Sequence, residues 1–273
     1  GTAKRIWTAR HTENVLLRVQ DARETLQLAN SYMGELGKGI HELTTIKLSD
    51  RKVQEFINEF FPIAGVTTNP TIISKEKRDF VELIKEIRSI IGPDKMLHVQ
   101  TTQEKCSDII AEAEALRDIA GDNFYVKIPI GPEGLKATMA LAKRGINVTV
   151  TAIFTQQQAM LAASAGAKFV APYVNRLDNL LSDGIHVVEE IEEMFRTNHV
   201  ETKVLAASFK TIEQVHKIAM VGGDAVTINP ELFDHLIYHP LTQYAIDDFN
   251  CDWKSVYGDK KILDFINEYE GKQ

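Results

Sequence analysis

Short apolar runs alternate with longer segments of helical pattern from Ala64 onward, and this alternation restricts the fold more strongly than any other feature. Such a rhythm is typical of βα units around a parallel sheet. It predicts eight strands, at residues 41–46, 65–69, 96–100, 123–128, 146–151, 168–174, 202–207 and 224–228. It also predicts amphipathic helices between them, at residues 76–91, 103–119, 133–144, 155–165, 184–197 and 210–220.

One closed barrel accounts for this pattern better than two doubly wound domains. The chain has 273 residues without a linker rich in Pro, Gly and Ser, and (β/α)8 barrels reach about 250 residues as one domain. We therefore predict an α/β protein with a single (β/α)8 TIM barrel over residues 42–273, which includes C-terminal helices. Residues 1–41 are predicted as an N-terminal helical extension, because their apolar residues form one helical stripe. That helix either covers barrel surface, mediates assembly or is an artificial leader.

The composition excludes several classes of protein. With 44% hydrophobic and 25% charged residues, the chain is neither collagen-like, disordered nor a disulfide scaffold. The net charge is −7, so no overall basic field attracts nucleic acid or an anionic membrane. No apolar run approaches the roughly 18 residues of a membrane span, and Cys106 and Cys251 lack CxxC spacing. We therefore expect a cytoplasmic protein without nucleic-acid or membrane partners.

Lys127 is the most unusual residue within a predicted strand. In the segment FYVKIP, Phe124, Val126 and Ile128 alternate with Tyr125 and Lys127. If the apolar set packs against outer helices, Lys127 faces the barrel interior. Loss of hydration there lowers the pKa of a lysine, and the resulting neutral amine can attack a carbonyl carbon. The alternative is a lysine that reaches the rim or pairs with a carboxylate.

Polar residues also occur in or at the ends of other strands: Asn69, Gln100, Asn147, Thr149, Thr151 and Tyr173. The period of two places Asn147, Thr149 and Thr151 on one face, which predicts a polar wall that binds substrate. The amides of Asn69 and Gln100 suit water or substrate hydroxyls. The Tyr173 phenol either passes a proton or fills space.

An anion site is predicted in the late loops, where barrels commonly bind phosphate. Arg176 follows the sixth predicted βα strand, and Ser208 and Lys210 follow the next one. They supply a guanidinium fork, a hydroxyl and a cation beside the start of a helix. His235 and His239 do not form a zinc motif, since no Glu follows His235 and Pro240 interrupts the segment. No metal is expected.

Five segments together resemble the small transaldolase family, and are most similar to its fructose-6-phosphate aldolase branch. They are GVTTNPTIIS (65–74), VKIP (126–129), GPEGLKATMALAKRGINVTVTAIFT (131–155), SAGAKFVAPYVNRLDN (164–179) and VLAASFK (204–210). The resemblance extends from about Phe61 to about Trp253. It implies a metal-free class I (β/α)8 enzyme without a cofactor, in which Lys127 forms a Schiff base with a sugar phosphate.

The resemblance also implies roles for individual residues. Gln100 and Thr151 match the pair that positions the reacting water, and Tyr173 matches a proton-relaying phenol. Asn69 and Thr67 match groups that hold donor hydroxyls and the lysine. The phosphate site of the acceptor is matched by Arg176, Ser208 and Lys210. The family forms rings through C-terminal helices, which implies a homo-oligomer.

Two features bear on the choice of activity. Transaldolases proper usually carry Glu and Phe where this chain has Gln100 and Tyr173, which favours an aldolase that releases dihydroxyacetone. The family also carries an Asp in its first strand, where this chain offers Thr44 or Lys47. The alternatives are therefore a transaldolase that passes the same unit to a second aldehyde, and a catalytically impaired barrel that only binds sugar phosphate.

Overall fold

The structure, a computed structural model, describes residues 58–271. The predicted first strand at 41–46 and the predicted extension at 1–41 lie outside the described residues. The chain divides into two compact units, with the boundary between Leu232 and Phe233. The first unit carries all the strands found within the described range.

Seven strands form one parallel sheet in chain order. They are β1 (Gly65–Thr67), β2 (Met96–Gln100), β3 (Phe124–Pro129), β4 (Asn147–Ile153), β5 (Phe169–Pro172), β6 (Lys203–Ala206) and β7 (Ala225–Val226). The sheet curls, since the Oγ1 atom of Thr67 in β1 lies 2.8 Å from the Oγ1 atom of Thr227, directly after β7. Seven of the eight predicted strands are thus confirmed as a curled parallel sheet.

Helices connect the strands and continue after β7. They are α1 (Pro70–Glu76), α2 (Phe80–Ile91), α3 (Cys106–Ala120), α4 (Pro132–Lys143), α5 (Gln156–Ser164), α6 (Val174–Asp178), α7 (Gly184–Thr197), α8 (Ile212–Val221), α9 (Glu231–Ile237), α10 (Pro240–Tyr257) and α11 (Ile262–Glu270). No helix between residues 58 and 271 is long and apolar enough to cross a membrane.

The core lies between the outer face of the sheet and the surrounding helices. Val126 of β3 and Val148 of β4 are fully buried, as are Ala113 of α3, Leu141 of α4 and Ile191 of α7. Burying a side chain of the size of Leu or Ile stabilises the fold by about 1.5–3 kcal/mol. Because the apolar residues of each strand are used on this face, the alternate residues point into the curled sheet.

The predicted helix 76–91 was wrong at its start. The chain leaves the helical conformation at Lys77, whose φ is 52°, and Asp79 begins α2 by accepting a hydrogen bond from the Glu82 N–H. A side-chain cap of this kind satisfies a backbone donor that the first turn leaves open. The segment after β1 is therefore two helices joined by a short turn.

Two strand ends also differ from their predicted limits. β4 continues to Ile153, with a register shift after Thr151 and a positive φ of 57° at Ala152. β5 ends at Pro172, and Tyr173 precedes the short helix α6, which the sequence pattern did not indicate. Both departures occur at the carboxyl ends of strands, where parallel α/β proteins place their functional residues.

The second unit consists mainly of α10 and α11. Trp253 and Tyr257 of α10 form an aromatic cluster with Phe265 of α11, with ring centroids 4.6–6.2 Å apart. The indole N–H of Trp253 donates to the carbonyl of Lys260 at 2.7 Å. These contacts join the two helices to each other.

Candidate active site

Lys127 lies inside the curled sheet, near the carboxyl end of β3. Its residue is only 5% exposed, and its Nζ atom donates to the carbonyl oxygen of Thr68 at 3.1 Å. Burial lowers the pKa of Lys127 from 10.5 to about 8, because the charged ammonium loses hydration. A substantial fraction of this amine is therefore neutral near pH 8, and a neutral amine is the form that attacks a carbonyl carbon.

Three aromatic rings form a layer beside Lys127, toward the amino ends of the strands. His98 stacks on Tyr125 with centroids 4.5 Å apart, and Phe169 meets both rings edge-on. The Nδ1 atom of His98 lies 2.9 Å from the Oγ1 atom of Thr149. Burial, assisted by the positive charge of Lys127, lowers the pKa of His98 to about 3. His98 is therefore neutral near pH 7 and adds no positive charge to the ring layer beside the Lys127 amine.

Gln100 is the neighbour of Lys127 on β2, and the two residues are paired in the parallel register. Its Oε1 atom is buried and accepts no hydrogen bond from any group within residues 58–271. A buried acceptor without a partner costs about 1–3 kcal/mol. The carboxamide is therefore suited to accept a hydrogen bond from a water or a substrate hydroxyl.

The loop after Gln100 is held by Glu112 of α3. The carboxylate of Glu112 accepts hydrogen bonds from the N–H of Thr102 at 2.9 Å and from its hydroxyl at 3.0 Å, and also from the Thr101 hydroxyl. Burial alone would raise the pKa of Glu112, but these hydrogen bonds outweigh it and lower the pKa. The Thr101 N–H in turn donates to the Lys127 carbonyl at 3.0 Å.

Thr151 and Tyr173 form a second polar group at the end of β4. The Thr151 hydroxyl donates to the phenol oxygen of Tyr173 at 3.1 Å. The guanidinium carbon of Arg176 lies 4.8 Å from the centre of the Tyr173 ring, and Phe154 meets the ring edge-on at 5.7 Å. The phenol therefore has a hydroxyl partner on one side and a cation over its face, which suits it to transfer a proton.

The two polar residues predicted at β1 are held by local contacts. Thr67 shares a hydrogen bond with Thr227, as described above. The Oδ1 atom of Asn69 accepts a hydrogen bond from the Ile72 N–H at 2.9 Å and so caps α1. With this oxygen engaged, the Nδ2 group of Asn69 is the part of the carboxamide that suits a substrate hydroxyl.

The predicted anion-binding residues come together in two adjacent loops. Ser208 has a φ of 67°, and its carbonyl accepts a hydrogen bond from the Asn175 N–H at 3.0 Å. Arg176, the next residue in α6, and Lys210 are both exposed. The backbone bond between Asn175 and Ser208 makes the two loops that carry these residues adjacent, and the Arg176 guanidinium lies over the Tyr173 ring.

Asn147 does not join this group. It begins β4, four residues before Thr151, and a strand advances about 3.3 Å per residue. The Nδ2 atom of Asn147 lies 3.5 Å from the Phe124 carbonyl, at the beginning of β3. The structure therefore places Asn147 at the opposite end of the strands from Thr151.

Several residues of the site were missed by sequence reasoning. Thr227 carried no signal in the sequence, because its partner Thr67 lies 160 residues away. Glu112 carried none, because a helical pattern does not show that its carboxylate holds the loop at Thr101 and Thr102. Gln214 could have been found, since Thr211 and Gln214 have the spacing of a helix capping box. Within the described range, no group of three or more His, Cys, Asp and Glu residues could hold a metal ion.

The fold and the buried amine define a class of protein: a parallel α/β protein that holds a partly neutral lysine inside its sheet, next to polar strand ends. A family model described as Transaldolase/Fructose-6-phosphate aldolase matches residues 47–262 of the chain. A second model, a domain of unknown function (DUF932), matches residues 1–84. Of the two candidates for the family's first-strand aspartate position, Lys47 lies inside the first match and Thr44 lies outside it.

Curated relatives agree with the first match. The chain is 39% identical over 206 residues to a probable fructose-6-phosphate aldolase of Streptococcus pneumoniae, covering 75% of this chain and 93% of the relative. It is 41% identical over 201 residues to a probable transaldolase of Brachyspira hyodysenteriae, covering 74% and 92%. It is 42% identical over 200 residues to a probable transaldolase of Brevibacillus brevis, covering 73% and 92%.

A solved structure gives a more distant likeness. A mutant flavocytochrome b2 with pyruvate bound superimposes with a TM-score of 0.51 at 12% identity, covering 67% of this chain and 53% of that one. This likeness concerns the fold alone.

The chain belongs to the transaldolase/fructose-6-phosphate aldolase family, which confirms the resemblance seen in the sequence. It is an aldolase or transaldolase enzyme. The relatives named aldolase and those named transaldolase match at similar identity, so these names do not discriminate between the two activities. A catalytically impaired barrel is not favoured.

Proposed function

We propose that this chain is a Schiff-base-forming, metal-free class I aldolase that interconverts a ketose phosphate such as fructose 6-phosphate with dihydroxyacetone and glyceraldehyde 3-phosphate. The observation that carries the proposal is the buried Lys127 amine, whose pKa is lowered to about 8. Because the amine itself activates the carbonyl, no cofactor is needed.

The reaction begins when the neutral Lys127 amine adds to the C2 carbonyl of the ketose. The resulting carbinolamine takes up one proton and loses one water to give an iminium ion, which withdraws electrons from the C3–C4 bond. The later hydrolysis of the iminium ion returns this proton. We assign the water that leaves and later returns to the Oε1 atom of Gln100, which is buried without a hydrogen-bond donor from residues 58–271, and to the hydroxyl of Thr151. Burial favours the neutral form of the Lys127 amine, which is the form that attacks the carbonyl carbon. The positive charge appears on this nitrogen only later, when the iminium ion forms.

Cleavage then breaks the C3–C4 bond. The proton of the C4 hydroxyl leaves as the aldehyde forms, and the bonding electrons move to the nitrogen as an enamine. We assign the proton transfer to the Tyr173 phenol, which is hydrogen-bonded to Thr151. Protonation of the enamine at C3 and hydrolysis of the iminium release dihydroxyacetone and restore Lys127.

The phosphate of the aldehyde half is assigned to Arg176, Ser208 and Lys210. Thr67 and Asn69, at the end of β1, are assigned to the hydroxyls of the dihydroxyacetone half. Asn147 was also predicted to bind substrate, but its place at the start of β4 supports no such role in this proposal.

The second candidate is a transaldolase, which shares every step up to the enamine. In that reaction the enamine attacks a second aldehyde instead of taking a proton. Gln100 and Tyr173 favour the aldolase, because transaldolases proper usually carry Glu and Phe at these two positions, and the Tyr173 phenol can supply the proton that the enamine takes.

The test combines trapping with product analysis. The protein is incubated with fructose 6-phosphate, reduced with borohydride and analysed by intact mass and peptide mapping, with Lys127→Met as the control. A dihydroxyacetone adduct on Lys127 that the control lacks is expected. Free dihydroxyacetone in the unreduced reaction identifies an aldolase, whereas transfer only in the presence of erythrose 4-phosphate identifies a transaldolase. A folded protein without any adduct would overturn the covalent mechanism.

The complete barrel and its assembly are part of the proposal. We propose that the chain before residue 58 supplies the eighth strand, so that residues 42–273 form one (β/α)8 barrel. Removal of residues 1–41 should then leave kcat unchanged. Apolar side chains of α10 and α11, such as Phe249 at 69% and Val256 at 71% exposure, support a homo-oligomer. A monomer by light scattering would contradict that part.

A further inference from the structure

One side chain links the two loops that carry the proposed phosphate ligands. Gln214 lies in the first turn of α8, and its Oε1 atom accepts hydrogen bonds from the N–H groups of Lys210 at 2.9 Å and Thr211 at 3.3 Å. These residues belong to the loop after β6. The oxygen end of the amide therefore holds the backbone at Lys210.

The nitrogen end of the same amide holds the loop after β5. The Nε2 atom of Gln214 donates to Asp178 Oδ2 at 2.6 Å and to Asn175 Oδ1 at 3.3 Å. Asn175 and Asp178 flank Arg176 in α6. The other carboxylate oxygen of Asp178 accepts from the Gly184 N–H at 2.9 Å, which ties the loop to the start of α7.

The link requires an amide in one orientation. An oxygen must face the two backbone donors, while a nitrogen must face the carboxylate of Asp178. A glutamate at position 214 would keep the shape but place a second carboxylate beside Asp178, and like charges in contact repel. An alanine would remove both halves of the link.

We propose that Gln214 is a positioning residue for the substrate phosphate, and that it determines how strongly the enzyme prefers phosphorylated aldehydes. This inference rests on the proposed function, because it assumes that Arg176, Ser208 and Lys210 bind that phosphate. Charge-assisted hydrogen bonds to phosphate depend on donor placement, and a misplacement of about 1 Å can lower a rate about 100-fold. Gln214 touches no substrate and acts by fixing the loops relative to each other.

The chain contains a matched control in Gln158 of α5. Its Oε1 atom accepts from the N–H groups of Phe154 at 2.8 Å and Thr155 at 3.3 Å, in a capping box with Thr155. Gln214 forms the same box with Thr211 and in addition the link to α6. Comparison of Gln158→Ala with Gln214→Ala therefore separates the link from the loss of a helix cap.

The experiment measures kcat/KM for aldol addition of dihydroxyacetone to glyceraldehyde 3-phosphate and to glyceraldehyde. Gln214→Ala and Gln214→Glu are expected to lower the preference for the phosphorylated aldehyde at least about tenfold, mainly through KM, with kcat/KM for glyceraldehyde within about twofold. Gln158→Ala should leave the preference unchanged. Equal losses on both aldehydes, or an equal change in Gln158→Ala, would overturn the inference.

A binding measurement keeps this inference separate from the aldolase proposal. Glycerol 3-phosphate carries a phosphate but no carbonyl, so its binding by calorimetry does not depend on Lys127 chemistry. Suppose that the unmodified chain shows no turnover but binds glycerol 3-phosphate more tightly than Gln214→Ala does. That result would refute the aldolase proposal and support the role of Gln214. Equal binding by both proteins, or none by the unmodified chain, would refute that role. Circular dichroism establishes that each variant is folded.

Discussion

Replacement of Lys127 by Met should make the protein more stable while it abolishes adduct formation. The structure holds this lysine inside the sheet, where burial lowers its pKa from 10.5 to about 8. A lowered pKa means that the folded state disfavours the ammonium form relative to the unfolded chain. The native lysine therefore costs stability at any pH at which it is charged in the unfolded state.

The cost follows from the two pKa values. At about 1.4 kcal/mol for each pKa unit, the penalty is about 3 kcal/mol at pH 7. It falls to about 1 kcal/mol at pH 9.5, because much of the penalty disappears as pH rises from about 8 to 10.5 and the unfolded chain loses its extra proton. Met has a similar length, but it loses the hydrogen bond to the Thr68 carbonyl, worth about 1 kcal/mol. The net gain is therefore about 2 kcal/mol at pH 7 and close to zero at pH 9.5.

Urea unfolding of both proteins at pH 7 and pH 9.5 measures this gain. In thermal unfolding at pH 7 the Tm should likewise rise by about 5 °C, since 1 kcal/mol corresponds to about 2–4 °C for a domain of this size. Lys136→Met, at an exposed position of α4, is the control and should show no such pH-dependent gain. A less stable Lys127→Met at pH 7, or a difference that does not change with pH, would refute the reasoning.

Three further predictions concern the site and its supports. The initial rate at which the borohydride-trapped adduct forms on Lys127 should rise about tenfold from pH 7 to pH 9 and be half-maximal near pH 8. The reason is that the neutral fraction of the Lys127 amine rises from about 9% to about 90% over this range. A rate that keeps rising toward pH 10.5 would contradict this. Gly65→Ala should lower the free energy of unfolding by about 1–3 kcal/mol in urea titrations, because its Cβ would lie 2.2 Å from a backbone carbonyl of β2. Gly131→Ala is its control, because among residues 58–271 the added Cβ would meet no atom within 4 Å other than those of its chain neighbours. Equal losses would argue against the close strand contact. Glu112→Ala should destabilise the protein by about 1 kcal/mol at pH 7 and by less at pH 4. The pKa of Glu112 is lowered in the folded state, so its contribution is lost as the carboxyl becomes protonated. A cost that does not diminish at pH 4 would show that the charge is not involved.

Much of the sheet could be predicted from the sequence, because each strand is buried on its outer face by its own apolar residues. The alternation in FYVKIP was enough to predict that Lys127 points inward, since Val126 and Ile128 occupy the side that faces the helices. The first departure from the pattern came after β1, where the helix predicted at 76–91 begins only at Phe80 because Asp79 caps it, and a separate helix, α1, precedes it. Such a cap competes with a continuous amphipathic stripe, and apolar periodicity does not register it.

Parts of the site depended on contacts between segments far apart in sequence. The Asn69 amide was predicted to suit water or substrate hydroxyls, and only the structure shows that its Oδ1 atom caps α1. The short helix after Pro172 places Arg176 over the Tyr173 ring, whereas the pattern predicted a strand as far as Val174 and a loop after it. The partners of Thr67 and Gln214 lie 160 and 36–39 residues away in the chain.

By itself, the sequence determined the class of fold, the family and the lysine that distinguishes the site, because apolar periodicity and long ordered motifs are local properties of a chain. Only the tertiary structure decided which amide oxygens are engaged, which carboxylate holds the loop after Gln100, and which two loops Gln214 joins. The physical reason is that burial, pKa and hydrogen-bond partners depend on which segments surround a group, and this is decided when the strands come together in one curled sheet.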